Sequence, residues 1–170
     1  MLMRTGARRL ACCRCAEAVL LIQHQQFDRD AGPPRSSMFA EAIFRWCDFA
    51  QLEIDGGMID GALLGCELRD VDWYWTLFNT ALLAHTSFTG CTFRGASFRG
   101  CEIVQCRFYE CRFVLNNLGG PCRFEDCLIA ECTFDKCEVV PESKSGRPVF
   151  VNTRWYSCSQ NQSPGLEGLF

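Results

Sequence analysis

Large apolar residues recur at every fifth position through the middle of the chain. A period of five fits neither an α-helix nor a simple strand. Residues two apart in a short extended segment point the same way, and a turn between segments can reset that direction. The pattern therefore predicts a solenoid of short strands. Its twenty centres are Phe44, Phe49, Ile54, Ile59, Leu64, Leu68, Trp73, Phe78, Leu83, Phe88, Phe93, Phe98, Ile103, Phe108, Phe113, Leu118, Phe124, Ile129, Phe134 and Val139.

The register of these centres changes twice. One residue is missing between Leu64 and Leu68, and one is added at Gly119-Gly120-Pro121. Glycine and proline suit a bulge or a loop. Asn116 takes an inward position beside the added residue, and a buried amide needs partners, so we expect it to hydrogen-bond the backbone of this loop.

Cysteine is the most unusual part of the composition, with fourteen in 170 residues. Ten of them lie two residues before a centre, in a column that otherwise holds mostly small residues. Reduced cysteine packs as a small hydrophobe, so this column is interpreted as core rather than as a metal or catalytic site. The ten are Cys47, Cys66, Cys91, Cys101, Cys106, Cys111, Cys122, Cys127, Cys132 and Cys137. Cys12, Cys13, Cys15 and Cys158 lie outside the repeat, and the pattern assigns them no role.

Individual units resemble those of the pentapeptide-repeat family, which centre on Phe or Leu with Ala or Cys two residues before. Clear examples are residues 91–95 (CTFRG), 96–100 (ASFRG) and 132–136 (CTFDK). The resemblance covers about residues 38–140 and implies an all-β fold, a right-handed four-sided β-solenoid with four units per coil. Twenty units make about five coils, roughly 24 Å long at a strand spacing of about 4.8 Å. The expected core includes Cys91, Phe93, Phe98, Cys101, Cys106, Phe108, Cys111, Phe113, Cys132 and Phe134.

Stacking of coils also predicts which centres touch. One expected ladder is Phe49, Leu68, Phe88, Phe108 and Ile129, and a second is Ile54, Trp73, Phe93, Phe113 and Phe134. Beside the first ladder we expect Cys47, Cys66, Thr86, Cys106 and Cys127.

Three segments follow from the extent of the repeat. Residues 1–37 carry six arginines against three carboxylates, a net charge of +3, and are expected to be a disordered or weakly helical extension. Phe39 is in register with the centres, which leaves Met38 as a second candidate start. Residues 38–140 form the solenoid, and residues 141–170 form a loop and a capping segment, with 149–156 capping or folding back on the solenoid.

Charge and hydropathy limit the location and the partners. The net charge of −3 indicates neither a nucleic-acid nor a membrane partner. The apolar run at residues 18–22 is too short for a signal-peptide core or a membrane span. We therefore expect a cytoplasmic protein with reduced thiols.

The outward positions carry the candidate partner surface. Its residues are Tyr74, Trp75, Arg94, Arg99, Arg107, Tyr109 and Arg112. Met58, Leu63, Leu77 and Leu82 are also expected to point outward, and an exposed apolar patch is either covered or binds a partner. We expect the C-terminal tail, with Phe150, Val151, Trp155 and Tyr156, to cover it; binding of a partner is the alternative.

No group of residues indicates catalysis. His24 and His85 have no nucleophile at a defined spacing, and the sequence has no phosphate-binding glycine loop. The chain is interpreted as a non-enzymatic protein–protein interaction module without cofactors, and the family resemblance suggests a bacterial adaptor or immunity-type protein. The alternative is a DNA mimic that binds DNA gyrase, as in the quinolone-resistance branch. The basic middle, the low net charge and the lack of a helical C-terminal pattern depart from that branch, and a monomer and a dimer both remain open.

Overall fold

Strands of two to five residues alternate with tight corners along the chain. The computed structural model describes residues 8–10, 19–30, 39–40, 42–140, 146 and 148–170. In a typical three-residue strand the middle side chain is buried and its two neighbours are more exposed, as for Phe93 between Thr92 and Arg94. This inward–outward alternation follows from the two-residue period of an extended chain.

The strands stack into four sheets, parallel except for one pair. Sheet 1 contains β1 (Arg8–Leu10), β2 (Val19–Gln23), β4 (Ala42–Arg45), β8 (Ala62–Leu64), β12 (Leu82–Ala84), β16 (Glu102–Val104), β20 (Leu128–Ala130) and β24 (Arg154–Tyr156). Sheet 2 contains β3 (Gln26–Phe27), β5 (Asp48–Ala50), β9 (Glu67–Arg69), β13 (Ser87–Thr89), β17 (Arg107–Tyr109), β21 (Thr133–Asp135) and β25 (Ser159–Asn161). Sheet 3 contains β6 (Glu53–Asp55), β10 (Asp72–Tyr74), β14 (Thr92–Arg94), β18 (Arg112–Val114) and β22 (Glu138–Val139). Sheet 4 contains β7 (Met58–Ile59), β11 (Leu77–Asn79), β15 (Ser97–Arg99), β19 (Arg123–Glu125) and β23 (Phe150–Val151).

Successive strands fall on successive sheets, so four of them complete one coil. The predicted all-β, four-sided solenoid is confirmed, with its centres in one continuous hydrophobic core. Equivalent rings of neighbouring coils stack face to face: the centroids of Phe88 and Phe108 are 4.8 Å apart, and those of Phe78 and Phe98 are 4.3 Å apart. No helix in the described residues is long and apolar enough to cross a membrane.

Most corners place a residue in the left-handed region two positions after a centre. Gly90, Gly95 and Gly100 adopt φ of 64°, 57° and 59° there, as their position in the repeat predicts. Other residue types take the same conformation, for example Asp70 with φ 53°. The corner amide is then aligned with the next coil: Asp70 N–H donates to the carbonyl oxygen of Thr89 at 2.9 Å. This inter-coil hydrogen bond offsets the strain of the left-handed backbone.

The shortened unit lies one step earlier than predicted. Leu63, not Leu64, is the fully buried centre, and it pairs with Leu83 in sheet 1. The next centre after Ile59 therefore comes four positions later instead of five. Gly61 explains the position of the slip, because a Cβ there would collide with the carbonyl oxygen of Ala42.

The insertion is longer than the single predicted residue. Phe113 and Phe124 are centres of adjacent sheets, yet eleven residues separate them where a regular unit uses five. Leu118 is not a centre but is 73% exposed in the loop between them. Asn116 holds this loop as expected: its Oδ1 accepts hydrogen bonds from the N–H groups of Leu118 (2.9 Å) and Gly120 (2.8 Å).

The larger insertion shifts every later contact by one sheet. Phe134 pairs with Phe108 rather than with Phe113, and Ile129 pairs with Ile103 rather than with Phe108. The lower ends of both predicted ladders were therefore wrong. In the cysteine column beside sheet 2, the residue stacked on Cys106 in the next coil is Cys132 rather than Cys127. The backbone N–H of Cys106 lies 3.4 Å from the sulfur of Cys132.

The described part of the N-terminal extension is strand rather than helix or disorder. β2 pairs in parallel with β4, and β3 pairs in parallel with β5. Ile22 and Phe27 are buried, five residues apart, and act as the centres of a partial coil. β1 pairs antiparallel with β2. Cys12, Cys13, Cys15 and Met38 lie outside the described residues.

The stack also continues past the predicted boundary at residue 140. β23 completes the fifth coil on sheet 4, and β24 and β25 begin a further one. Cys158 is thereby in register, two residues before the strand centre Gln160, although the sequence pattern placed it outside the repeat. At the end of the core, Trp155 packs against Phe170 with ring centroids 5.1 Å apart.

Candidate interaction surfaces

The cysteine column has the geometry of a packed, hydrogen-bonded core. The ten cysteines of the predicted column are at most 2% exposed, and every cysteine that the structure describes has a free thiol. Most of these thiols donate to the carbonyl oxygen of a centre in the preceding coil. Cys106 donates to Leu83 at 3.3 Å and Cys111 donates to Phe88 at 3.4 Å. Thr86 makes the same contact to Leu63 at 3.1 Å, so a donor in this column satisfies a carbonyl of the preceding coil.

Burial sets the acid–base state of Cys111 and Cys122. Removal from water disfavours a thiolate, and it raises the pKa of Cys122 and of Cys111 above that of a free thiol. A neutral, buried thiol is a poor nucleophile and a poor metal ligand. Among the residues that the structure describes, no group of three or more His, Cys, Asp or Glu side chains is placed to hold a metal ion.

The residues of the predicted partner surface lie on three sheets. Tyr74, Arg94 and Arg112 are on sheet 3, Arg107 and Tyr109 on sheet 2, Arg99 on sheet 4, and Trp75 at the corner between sheets 3 and 4. Consecutive units lie on different sides of the solenoid. Charged residues that are close in sequence are therefore distributed around the solenoid rather than along one side. These seven residues therefore do not form one flat surface.

Three of the four arginines are paired across coils. Arg94 contacts Asp72 at 2.8 Å, a contact that raises the pKa of its guanidinium. The other two pairs are Arg112 with Glu138 (2.8 Å) and Arg99 with Glu125 (3.1 Å). The fourth guanidinium, of Arg107, lies 5.7 Å from the centroid of the Tyr109 ring. These partly exposed pairs neutralise the three arginines and contribute little stability.

The aromatic pair among the predicted residues is held by the insertion loop. Tyr74 and Trp75 stack with centroids 5.8 Å apart, and Tyr74 Oη donates to Asn117 Oδ1 at 2.6 Å. Trp75 remains 48% exposed. The structure thus brings the aromatic pair together with the loop, and Tyr74 also lies beside Arg94 on the neighbouring strand of sheet 3.

A second surface, on sheet 1, carries apolar side chains on its outward side. This apolar face consists of Leu21, Ile43, Ala62, Leu64, Leu82, Ala84, Val104, Leu128, Ala130 and Tyr156. Across β8, β12, β16 and β20, Glu102 is the one charged outward residue. The outward sides of the other three sheets carry the ion pairs and many of the charges. Among the described residues, sheet 1 is therefore the side of the solenoid where several coils in succession present hydrocarbon.

The C-terminal tail does not cover this face. The prediction that Phe150, Val151, Trp155 and Tyr156 fold over the outward apolar residues was wrong, because these residues extend sheets 4 and 1 at the end of the stack. Leu63 was also wrongly placed outward, because it is a buried centre. Leu82 is 36% exposed and Tyr156 is 54% exposed. No segment among the described residues crosses the apolar face.

A cluster of Trp46, His24 and Arg45 borders the apolar face at the corner between sheets 1 and 2. Trp46 is 47% exposed, with the Arg45 guanidinium 3.8 Å from its ring centroid and the His24 ring 4.9 Å away. Gly65 makes room for it, because a Cβ there would approach Trp46 Cδ1 to 2.8 Å. An open groove of about 680 Å³ runs beside the indole, lined by Leu21, Ile43, Arg45, Trp46, Leu64, Gly65, Ala84 and His85.

Comparison with protein families agrees with this geometry. Residues 78–113 match the model described as pentapeptide repeats, in eight copies. Residues 78–113 are pentapeptide repeats. The described coils of the chain extend well beyond the matched residues in both directions, and no curated protein matches the sequence.

Solved structures with a similar course of the chain include QnrB1 and the pentapeptide-repeat protein Rfr23. A trypsin-treated form of QnrB1, a plasmid-mediated fluoroquinolone resistance protein, is 14% identical with a TM-score of 0.48, and the match covers 84% of this chain and 66% of that one. The chain thus spans just under two thirds of that protein. Full-length QnrB1 is 11% identical with a TM-score of 0.32, covering 84% and 85%. The pentapeptide-repeat protein Rfr23 from the cyanobacterium Cyanothece 51142 is 7% identical with a TM-score of 0.29, covering 84% and 86%.

Sequence reasoning missed the apolar face and Trp46. The signal was present, because the residues before and after every fourth centre are mostly Leu, Ile, Val or Ala. It repeats at about twenty residues rather than five, and it becomes visible only when each pentapeptide repeat is assigned to a sheet.

Proposed function

We propose that this protein is a non-enzymatic protein-interaction module that binds through the apolar face. One observation carries the proposal: several successive coils present hydrocarbon on sheet 1, while the other sides carry charges paired between coils. A contiguous apolar surface of this kind on a soluble fold marks an interaction site. The stacked sheet is also a rigid platform, so little order has to be gained on binding.

The chemistry of the core supports an interaction role over catalysis. The thiols are buried, and they satisfy backbone carbonyls rather than line a cleft. The same reduced thiols favour a cytoplasmic location for the module. An adaptor or immunity-type role remains the finer form of this proposal.

A charge placed on the apolar face tests the function. Leu82→Glu puts a carboxylate at the middle of the face, whereas Ser97→Glu puts one at the equivalent position of sheet 4 in the same coil, between Leu77 and Arg123. Both variants should keep the wild-type melting temperature within a few degrees, because both sites are outward. The wild type and both variants are immobilised and used to capture proteins from an extract of the source organism. Proteins captured by the wild type should be lost with Leu82→Glu and kept with Ser97→Glu, as measured by quantitative mass spectrometry.

Identical retention by the wild type and by both variants would refute binding through the apolar face. A partner lost only with Trp75→Ala would transfer the function to the aromatic pair and its loop. Each result assigns the binding surface to one side of the solenoid.

Gyrase binding by DNA mimicry is the alternative proposal. A DNA mimic needs carboxylates free to replace phosphates, whereas Asp72, Glu125 and Glu138 each contact an arginine. These contacts favour the interaction module. A supercoiling assay with purified gyrase separates the two: inhibition or protection at micromolar protein would support the mimic, and unchanged supercoiling would support the module.

A further inference from the structure

Within the apolar face, large and small side chains are paired in a regular way. Each coil contributes one outward residue before its centre and one after it, which gives two columns. In three coils one of the two residues is leucine and the other is alanine. These pairs are Ala62 with Leu64, Leu82 with Ala84, and Leu128 with Ala130.

This regularity matches a self-complementary contact. A two-fold axis parallel to the solenoid axis places each column against the other column of a second copy, coil facing coil. Each leucine then meets an alanine, so ridges fill hollows as close packing requires. At the end of the face, Arg154 meets Tyr156 of the second copy, an arrangement suited to a cation–π contact.

The antiparallel alternative satisfies the pattern less well. With the two-fold axis along the strands, the coils of the second copy run in the opposite order and each column meets the same column of that copy. Leucine then meets alanine in only one pair of neighbouring coils. Arg45 and Arg154 lie toward the two ends of the face, and the one charged residue in its central coils is Glu102. In the parallel arrangement it meets Val104 of the second copy, beside the polar corner residues Gln105 and His85.

The size of the face suits a weak, specific dimer. Seven strands about 4.8 Å apart make it about 34 Å long, and three-residue strands with their side chains make it about 14 Å wide. Two such faces together would bury about 1,000 Å², near the lower limit for a specific interface. We infer that the apolar face binds a second copy of this chain, with the two solenoids parallel and related by a two-fold axis.

This inference rests on the proposed function and narrows it to one occupant. The test is sedimentation equilibrium of the full chain between about 1 and 200 µM in the presence of a thiol reductant, with an expected micromolar dissociation constant. Leu82→Glu should be monomeric over this range, and Ser97→Glu should dimerise like the wild type.

A size exchange tests the orientation. Leu82→Ala leaves a hollow, and Ala84→Leu sets leucine against leucine, so each should weaken the dimer by about ten-fold or more. The double variant Leu82→Ala/Ala84→Leu restores one leucine against one alanine and should recover most of the affinity. Far-ultraviolet circular dichroism and melting temperatures establish that all variants are folded.

Several outcomes would overturn the inference. A monomer at every concentration would exclude the dimer, while loss of other partners with Leu82→Glu would leave the proposed function intact. A dimer that Leu82→Glu leaves unchanged would place self-association elsewhere. A double variant weaker than both single variants would refute the parallel arrangement.

Discussion

Alkaline pH should act against the folded state through the buried thiols of Cys111 and Cys122. The perturbation is an increase from pH 7.5 to pH 9.5. Cys111 and Cys122 are at most 1% exposed, and burial raises the pKa of both thiols in the folded state. In the unfolded chain a thiol ionises with a pKa of about 8.5. The stabilisation from keeping these thiols neutral is therefore complete below about pH 8.5 and is lost as the pH rises toward the folded-state pKa.

The magnitude follows from the difference in bound protons. At pH 9.5 ionisation favours the unfolded state by about 1.4 kcal/mol for each thiol that stays protonated when folded. Cys111 and Cys122 together should lower the free energy of unfolding by about 3 kcal/mol relative to pH 7.5. For a domain with a stability of about 5–15 kcal/mol this is a large fraction.

Urea unfolding at the two pH values measures the effect. Tryptophan fluorescence reports on the core through the fully buried Trp73, and a reductant prevents disulfide formation. The double variant Cys111→Ala/Cys122→Ala is the control. It should be less stable at pH 7.5, because two sulfur atoms are missing from the core, yet its loss of stability up to pH 9.5 should be smaller by about 3 kcal/mol. Equal pH dependence in the two proteins would refute the assignment of buried neutral thiols.

Three further predictions concern the stack and its two irregularities, each measured by urea or thermal unfolding. Phe108→Ala should cost about 3–5 kcal/mol and Phe108→Leu much less, because leucine fills most of the ring's volume; equal costs would argue against a packed ladder. Asn116→Ala should cost about 1–3 kcal/mol through the two backbone amides it leaves unpaired in the loop, whereas Asn117→Ala, which removes an exposed contact, should change stability by less than about 0.5 kcal/mol. A Tm for Asn116→Ala equal to that of the wild type would contradict this. Gly61→Ala should destabilise by about 1–3 kcal/mol or more, because its Cβ meets the carbonyl of Ala42, and a neutral result would mean that the shortened unit lies elsewhere.

The sequence by itself determined the repeat and the inward residues. An extended unit of three residues buries its middle side chain whatever its neighbours are, so a local period of five was enough to place Phe93, Phe108 and the ten cysteines of the column in the core. The role of Asn116 was also local, because its partners are two and four residues away.

Only the tertiary structure decided which units touch and which sides face water. Four units close a coil, so the sheet to which a unit belongs depends on the number of units that precede it. The longer loop at 115–121, which contains no centre, is enough to move Phe134 from one ladder to the next. The apolar face depends on the same count, because its residues are about twenty positions apart and become neighbours only when the coils stack. Whether a side chain points inward or outward depends on a few neighbouring residues. Which side chains share a surface depends on the complete coil, because residues about twenty positions apart become neighbours only after each coil has closed.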